Sequence, residues 1–206
     1  SIQQSDTTFS LLDVATPTGR LPGELEFRGA NAFTVSSQTP VDPSDLRSAL
    51  LRSTASEGSG KHRLMLWVHG FNNTPAEAVY RQVQIVQDID HAGPAVSFVW
   101  PSAARASGYI HDRDSALYAR DDLADLILSL DAAWSGELVV IAHSLGAFLT
   151  LEALGRLRLA GNSAPVIDSL LLLQPDIAPD VFEAQIRTAQ PLAERSALIT
   201  SQGDPV

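Results

Sequence analysis

No cysteine occurs among the 206 residues. That excludes disulfides, a thiol nucleophile and cysteine–zinc sites, and it leaves the redox compartment undetermined. The chain also lacks any apolar run near the roughly 20 residues a membrane helix needs. Its apolar runs, "SLLLL" at 169–173 among them, have only the length of a strand. Positive charge is scarce: 14 Lys and Arg stand against 24 Asp and Glu, a net charge of −10. No basic cluster is available to meet a phosphate backbone, so nucleic acid is not an expected partner. No His/Asp cluster has metal-ligand spacing. "SEGSGK" (56–61) lacks the full spacing of a phosphate-binding loop and precedes a strand instead of following one. Repeats and low-complexity tracts are absent. The chain opens on "SIQQSD" without methionine. A soluble protein is expected, either cytoplasmic or exported with its signal removed.

What remains is ordinary globular material, 45% apolar and 18% charged, long enough for one domain with a sizeable core. Two regions are expected. Residues 1–60 form an N-terminal extension rich in turn formers, such as "TPTGRLPGE" (16–24) and "TPVDPSD" (39–45). Within it "ELEFRG" and "AFTVSS" read as short strands that could lie at a sheet edge. Asp42-Pro43-Ser44-Asp45 caps a short helix ending near Ser53.

From residue 61 to 206 strands and helices alternate. "RLMLWVH" (63–69) is a continuous apolar strand of the kind buried on both faces of a parallel sheet. Thr74-Pro75-Ala76-Glu77 supplies a cap, a first-turn proline and a reciprocal glutamate for the helix that follows. Further strands are expected at "AVSFVW" (95–100), "ELVVIA" (137–142), "IDSLLLLQ" (167–174) and "SALITS" (196–201). Helices are expected over 112–130, 145–159 and 178–189. Five strands alternating with four helices predict a mostly parallel, doubly wound α/β sheet with helices on both faces. In such a sheet ligands sit outside the carboxyl ends of the strands, which leaves few segments for a site.

One of them is Ala142-His143-Ser144-Leu145-Gly146. A serine hydroxyl is a poor nucleophile unless a base takes its proton and its oxygen is freely presented. A sharp strand-to-helix turn presents it, and small neighbours such as Ala142 and Gly146 let the backbone make that turn. The Leu145 N–H then lies at a helix N-terminus, where a developing oxyanion is stabilised. A serine in this place also serves many helices as an ordinary cap. A second segment, "HGFNNT" (69–74), puts His69-Gly70 after the first strand of this region and offers the Phe71 N–H as a second oxyanion donor.

The stretches "LWVHGFNNTPAEAVYR", "FVWPSAARASGYIHDRDSALYAR", "VVIAHSLGAFLTLEAL" and "LLLQPDIAPDVF" resemble a bacterial family of α/β-hydrolase-fold proteins catalogued as domain of unknown function 900. The resemblance covers about 63–206. It implies an α/β-hydrolase fold and a Ser-acid-His triad acting on a small acyl or ester substrate, with no cofactor. It implies no particular substrate and no oligomeric state.

In this fold the acid and then the histidine follow the serine along the chain. Asp204, after "SALITS", stands where the fold most often places its acid; Asp176, in "QPDIAPD", stands one strand earlier. Asp204 is preferred on that order. None of the histidines (His62, His69, His91, His111, His143) follows Ser144. His62 and His91 precede strands and fall at the wrong sheet edge. His69 is expected to brace the oxyanion turn and His143 to shape the elbow, while His111 alone lies after a strand on the correct edge. The chain is therefore expected to stop short of the family's last strand, with the base beyond Val206. The competing expectation, also raised by the missing histidine, is a catalytically silent hydrolase-fold domain that binds a partner or small ligand.

Overall fold

The segment Arg63–Val68 has no polar residue after its arginine, and such a strand is stable only with both faces covered. In the computed structural model, which describes residues 7–17, 33–53 and 63–200, this strand (β3) lies in the interior of the main sheet, one strand from its edge. Around it the chain runs β1 (Phe9–Ala15), β2 (Thr34–Val41), α1 (Leu46–Ser53), β3 (Arg63–Val68), α2 (Pro75–Asp88), β4 (Ala95–Phe98), α3 (Tyr109–Ala133), β5 (Glu137–His143), α4 (Leu145–Leu159), β6 (Ile167–Leu173), α5 (Pro179–Ala189) and β7 (Ala193–Ile199). The main sheet has the order β4-β3-β5-β6-β7, and every pairing in it is parallel. The strand–helix alternation read from the sequence thus closes into an α/β-hydrolase sheet, with all carboxyl ends along one edge.

The two faces divide by the period of two along each strand. Leu64, Leu66 and Val68 of β3 and Leu138, Val140 and Ala142 of β5 pack toward α3 and α4. Met65, Trp67 and Ile141 point the other way, against Ile85 and Val86 of α2. Helix α4 is apolar nearly all round because it is sandwiched between the sheet, α3 and α5. Helix α2 begins on a capping box. Thr74 Oγ1 accepts the Glu77 N–H at 3.2 Å, and Glu77 Oε2 accepts the Thr74 N–H at 2.8 Å.

The N-terminal strands do not join the main sheet. Among the described residues β1 and β2 pair only with each other, antiparallel, as a separate two-stranded sheet. The main-sheet edge position expected for "AFTVSS" is not taken by β2: Thr-Val-Ser-Ser-Gln-Thr-Pro-Val has no alternating apolar face to lay on a core and is exposed up to Pro40. A cavity of about 970 Å³ runs beside edge strand β4 under this hairpin, lined by Phe9, Val35, Val83 and Phe98 among others. None of the residues at the β5–α4 turn lines it. "ELEFRG", His62 and Asp204 lie outside the described residues.

Candidate active site

Ser144 is the hinge between β5 and α4, at φ 53° and ψ −123°. L-residues rarely occupy such a conformation, and where they do the strain is commonly part of a site. The backbone is held there from both sides. The Ser144 N–H donates to the Leu173 carbonyl of β6 at 3.0 Å, and its own carbonyl accepts the Ala147 N–H at 2.9 Å. The side chain does none of this holding: Ser144 makes no side-chain cap hydrogen bond. The ordinary capping role is therefore unused at this carboxyl end of β5. Two residues on, a methyl group on Gly146 would fall 2.5 Å from the Val68 carbonyl oxygen and closer still to that of His69. Only glycine lets α4 start this close to β3.

The turn after β3 comes up against the elbow. A methyl on Gly70 would lie 3.0 Å from Ser144 Cβ and 2.8 Å from His143 Nδ1. The turn's carbonyls are tied back into the protein. Gly70 O accepts from His69 Nδ1 at 2.9 Å and from Asn73 Nδ2 at 3.1 Å, and Phe71 O accepts from the same Asn73 amide at 2.8 Å. Asn72 takes a left-handed φ of 58°. The Phe71 N–H has no partner among the described residues, and the Leu145 N–H, in the first turn of α4, has no acceptor within its helix. Two amides without an acceptor among the described residues thus belong one to the elbow and one to the turn that packs against it.

His69 is 1% exposed and engaged at both nitrogens. Nε2 accepts the Trp100 N–H at 3.2 Å, which leaves Nδ1 to carry the proton that goes to Gly70 O, and the ring stacks on Trp100 at 4.8 Å. Burial lowers its pKa, the nearby hydrogen-bond acceptor and the Asp112 charge opposing only in part. It is a fixed neutral brace. His143 points to the α2 side, parallel to Trp67, and its pKa is lowered first by burial and then by the Arg81 charge. His91 bonds to Pro94 O at the amino edge.

His111 does not reach the elbow. Its ring is 62% exposed and meets Asp112 at 3.3 Å and Ser115 at 3.4 Å. Helical spacing explains this: Tyr109 and Arg113 share one flank of α3, with Tyr109 edge-on to Phe71 and the Arg113 guanidinium 5.1 Å over the Phe148 ring. His111 and Ser115 share another flank. No described histidine hydrogen-bonds to Ser144. Asp176, exposed after β6, stands beside the Tyr109 hydroxyl, whose pKa is raised first by burial and then by this carboxylate.

The residue that sequence reasoning passed over is Asp112. Its side chain is fully buried and accepts from Ser102 Oγ at 2.6 Å, the Ala103 N–H at 2.6 Å and the Asn72 N–H at 3.3 Å. Burial works to raise its pKa, but these hydrogen bonds outweigh it and the net position is below the ordinary 3.8. A hint was available in the sequence: an acid in the first turn of a helix that follows a strand's carboxyl end.

These groups make stability depend on pH with a definite sign. The folded pKa values of His69 and His143 lie below their ordinary 6.5, so below that pH the unfolded chain binds protons that the folded chain refuses. Asp112 adds stability that is complete above 3.8 and is lost as pH falls through its lower folded value. The melting temperature is expected to fall from pH 7 to pH 5, and again on further acidification. A melt that is flat from pH 7 to 5 contradicts the assignment of both histidines as buried and neutral.

Among the described residues no group of three or more His, Asp or Glu side chains is arranged to hold a metal ion. No described helix is long and apolar enough to cross a membrane. The sequence family described as "Alpha/beta hydrolase of unknown function (DUF900)" matches residues 48–206. No curated protein matches the chain. Among solved structures, one titled "brefeldin A esterase, a bacterial homologue of human hormone sensitive lipase" is similar at a TM-score of 0.40 and 15% identity. The match covers 86% of this chain and 42% of that one, so the chain spans less than half of that neighbour's length.

Proposed function

Starting from a chain that belongs to the DUF900 family of α/β hydrolases of unknown function, we propose that it is a serine hydrolase acting on a small carboxylic ester. The observation that carries the reading is Ser144 itself: a strained residue at the carboxyl edge whose hydroxyl caps nothing, beside the Phe71 and Leu145 N–H groups. In the proposed reaction Ser144 Oγ forms a bond to the ester carbonyl carbon and gives its proton to a general base. The carbonyl π electrons move onto oxygen, which the Phe71 and Leu145 amides stabilise. The oxyanion collapses, the C–O bond to the alcohol breaks, and the alcohol leaves with that proton. Water then attacks the acyl-serine by the same steps.

Asp204 is the proposed orienting acid, with Asp176 the alternative. Gly70, Gly146, His69 and His143 give the site its shape; His111 is left out of the chemistry because it points away. The reading assigns the general base to none of the described histidines. That same observation favours one second reading, a hydrolase-fold domain that binds a ligand without turning it over.

Fluorophosphonate labelling separates the two. The full-length protein is expected to take one covalent phosphonyl group, located by mass spectrometry on Ser144. No adduct, or an adduct confined to another residue, defeats the hydrolase reading in favour of the silent one.

A further inference from the structure

We infer that Asp112 is the positioning residue that sets the oxyanion turn for catalysis, an inference that rests on the ester-hydrolase reading above. Its carboxylate joins three segments that the chain order keeps apart: the turn after β3 through the Asn72 N–H, the loop after β4 through Ser102 and Ala103, and the first turn of α3, its own element. All of these partners are donors, and His111 Nδ1, when it carries the proton, adds another at 3.3 Å. An ionised carboxylate is acceptor-only, so it alone among side chains of this size satisfies such a set without leaving a donor facing a donor.

The geometry runs directly to the proposed oxyanion amide. The Phe71 N–H belongs to the peptide unit whose carbonyl is Gly70 O, and that carbonyl is held from behind by His69 and Asn73. The next unit along is held by its N–H, on Asp112. Phe71 is thus fixed at the peptide on either side, one anchor in β3 and its turn, the other in α3. Two of the positive-φ residues at this edge, Asn72 and Ala104, adjoin the same clamp, Ala104 through its N–H to Ser102 Oγ at 3.3 Å. A donor stabilises an oxyanion only within a few tenths of an ångström of the right place. A displacement of about 1 Å costs on the order of 100-fold in rate.

The test uses the full-length protein with p-nitrophenyl acetate as substrate and benzeneboronic acid as a tetrahedral, anionic mimic of the intermediate. Asp112→Asn keeps the shape but turns an amide NH2 toward donors. It is expected to lower kcat by about 10- to 100-fold, with KM changed by no more than about twofold. Boronate affinity should fall in parallel with kcat/KM, as it must when only transition-state binding is lost. Exchange of the Asn72 amide hydrogen should accelerate. Ser102→Ala should move each quantity in the same direction by less, and Asp114→Asn, on the exposed side of the same helix, should match the wild type. A folded Asp112→Asn protein with unchanged kcat, or with kcat and KM worsened together while boronate binds as before, overturns the inference. Should that variant fail to fold, Ser102→Ala decides: unchanged kcat and unchanged Asn72 exchange overturn it equally. A wild-type protein that neither hydrolyses the ester nor takes fluorophosphonate at Ser144 defeats the hydrolase reading, and a catalytic role for Asp112 with it. Accelerated Asn72 exchange in Asp112→Asn then still marks the clamp as structural.

Discussion

Ser144→Ala is expected to remove p-nitrophenyl ester turnover from the full-length protein down to the uncatalysed background, while the melting temperature stays within a few degrees. The two halves of this result have separate causes. The rate vanishes because the proposed nucleophile is gone, and oxyanion donors alone retain only a small residue of the acceleration. The stability survives because the Ser144 side chain makes no cap hydrogen bond to its helix, so its removal strands no cap partner. Alanine also meets the same φ of 53° that serine does, so the strain at the hinge is unchanged. Turnover that persists in the variant removes Ser144 from the mechanism. A large drop in melting temperature shows instead that the side chain has a structural partner.

The second large effect separates the two candidate aspartates. Asp204→Asn should lower kcat about 10⁴-fold, because an asparagine cannot hold a general-base imidazole in the tautomer that accepts a serine proton or stabilise the imidazolium that results. Asp176→Asn should lose far less. Asp176 faces the Tyr109 hydroxyl on α3, and its replacement disturbs the wall of the site next to Phe71 rather than a proton carrier. The opposite order would move the acid to the loop after β6, one strand early. Small, equal losses from both would take aspartate out of the triad.

Legibility along the chain followed the physics of each element. Helix α4 was readable to both ends because an apolar strand, a serine and a glycine bound it, and the start of α2 because Thr74, Pro75 and Glu77 form a reciprocal cap. Helix α3 begins at Tyr109, ahead of the expected Asp112, since Gly108 precedes it with no side-chain cap to mark the place. Strand β4 ends at Phe98, earlier than its apolar run suggests. Trp100 leaves the sheet to donate from its indole to the His69 carbonyl at 2.9 Å and to stack on that ring. Strand β1 was missed entirely: Phe9–Ala15 mixes serine, aspartate and leucine without a clean period and is half-buried only in patches. In the site, Ser144 announced itself because a strained hinge needs a short motif of consecutive residues. Asp112 did not, because its meaning lies in Asn72, Ser102 and Ala103, which only folding gathers round it.

Among the described residues five non-glycine positions adopt positive φ, and four of them, Asn72, Ala104, Ser144 and Gln174, sit one in each of the segments that follow β3, β4, β5 and β6. Asp90 is the exception, at the other end of the sheet. The molecule is therefore built of two parts with different tolerance for change. The strands and the helices behind them are in relaxed geometry and carry the core, so they bear hydrophobic exchange of similar volume. The four loops hold the costly conformations, and each hangs from its own strand. Those after β3 and β4 are not independent, because Asp112 accepts from the Asn72 N–H of one and from Ser102 and the Ala103 N–H of the other. The freedom to vary is thus greatest in the relaxed core and least at Ser102 and Ala103, whose hydrogen bonds to Asp112 reach through to the turn after β3. The same freedom is denied at 70 and 146, where even one added carbon would collide with backbone or side-chain atoms across the site.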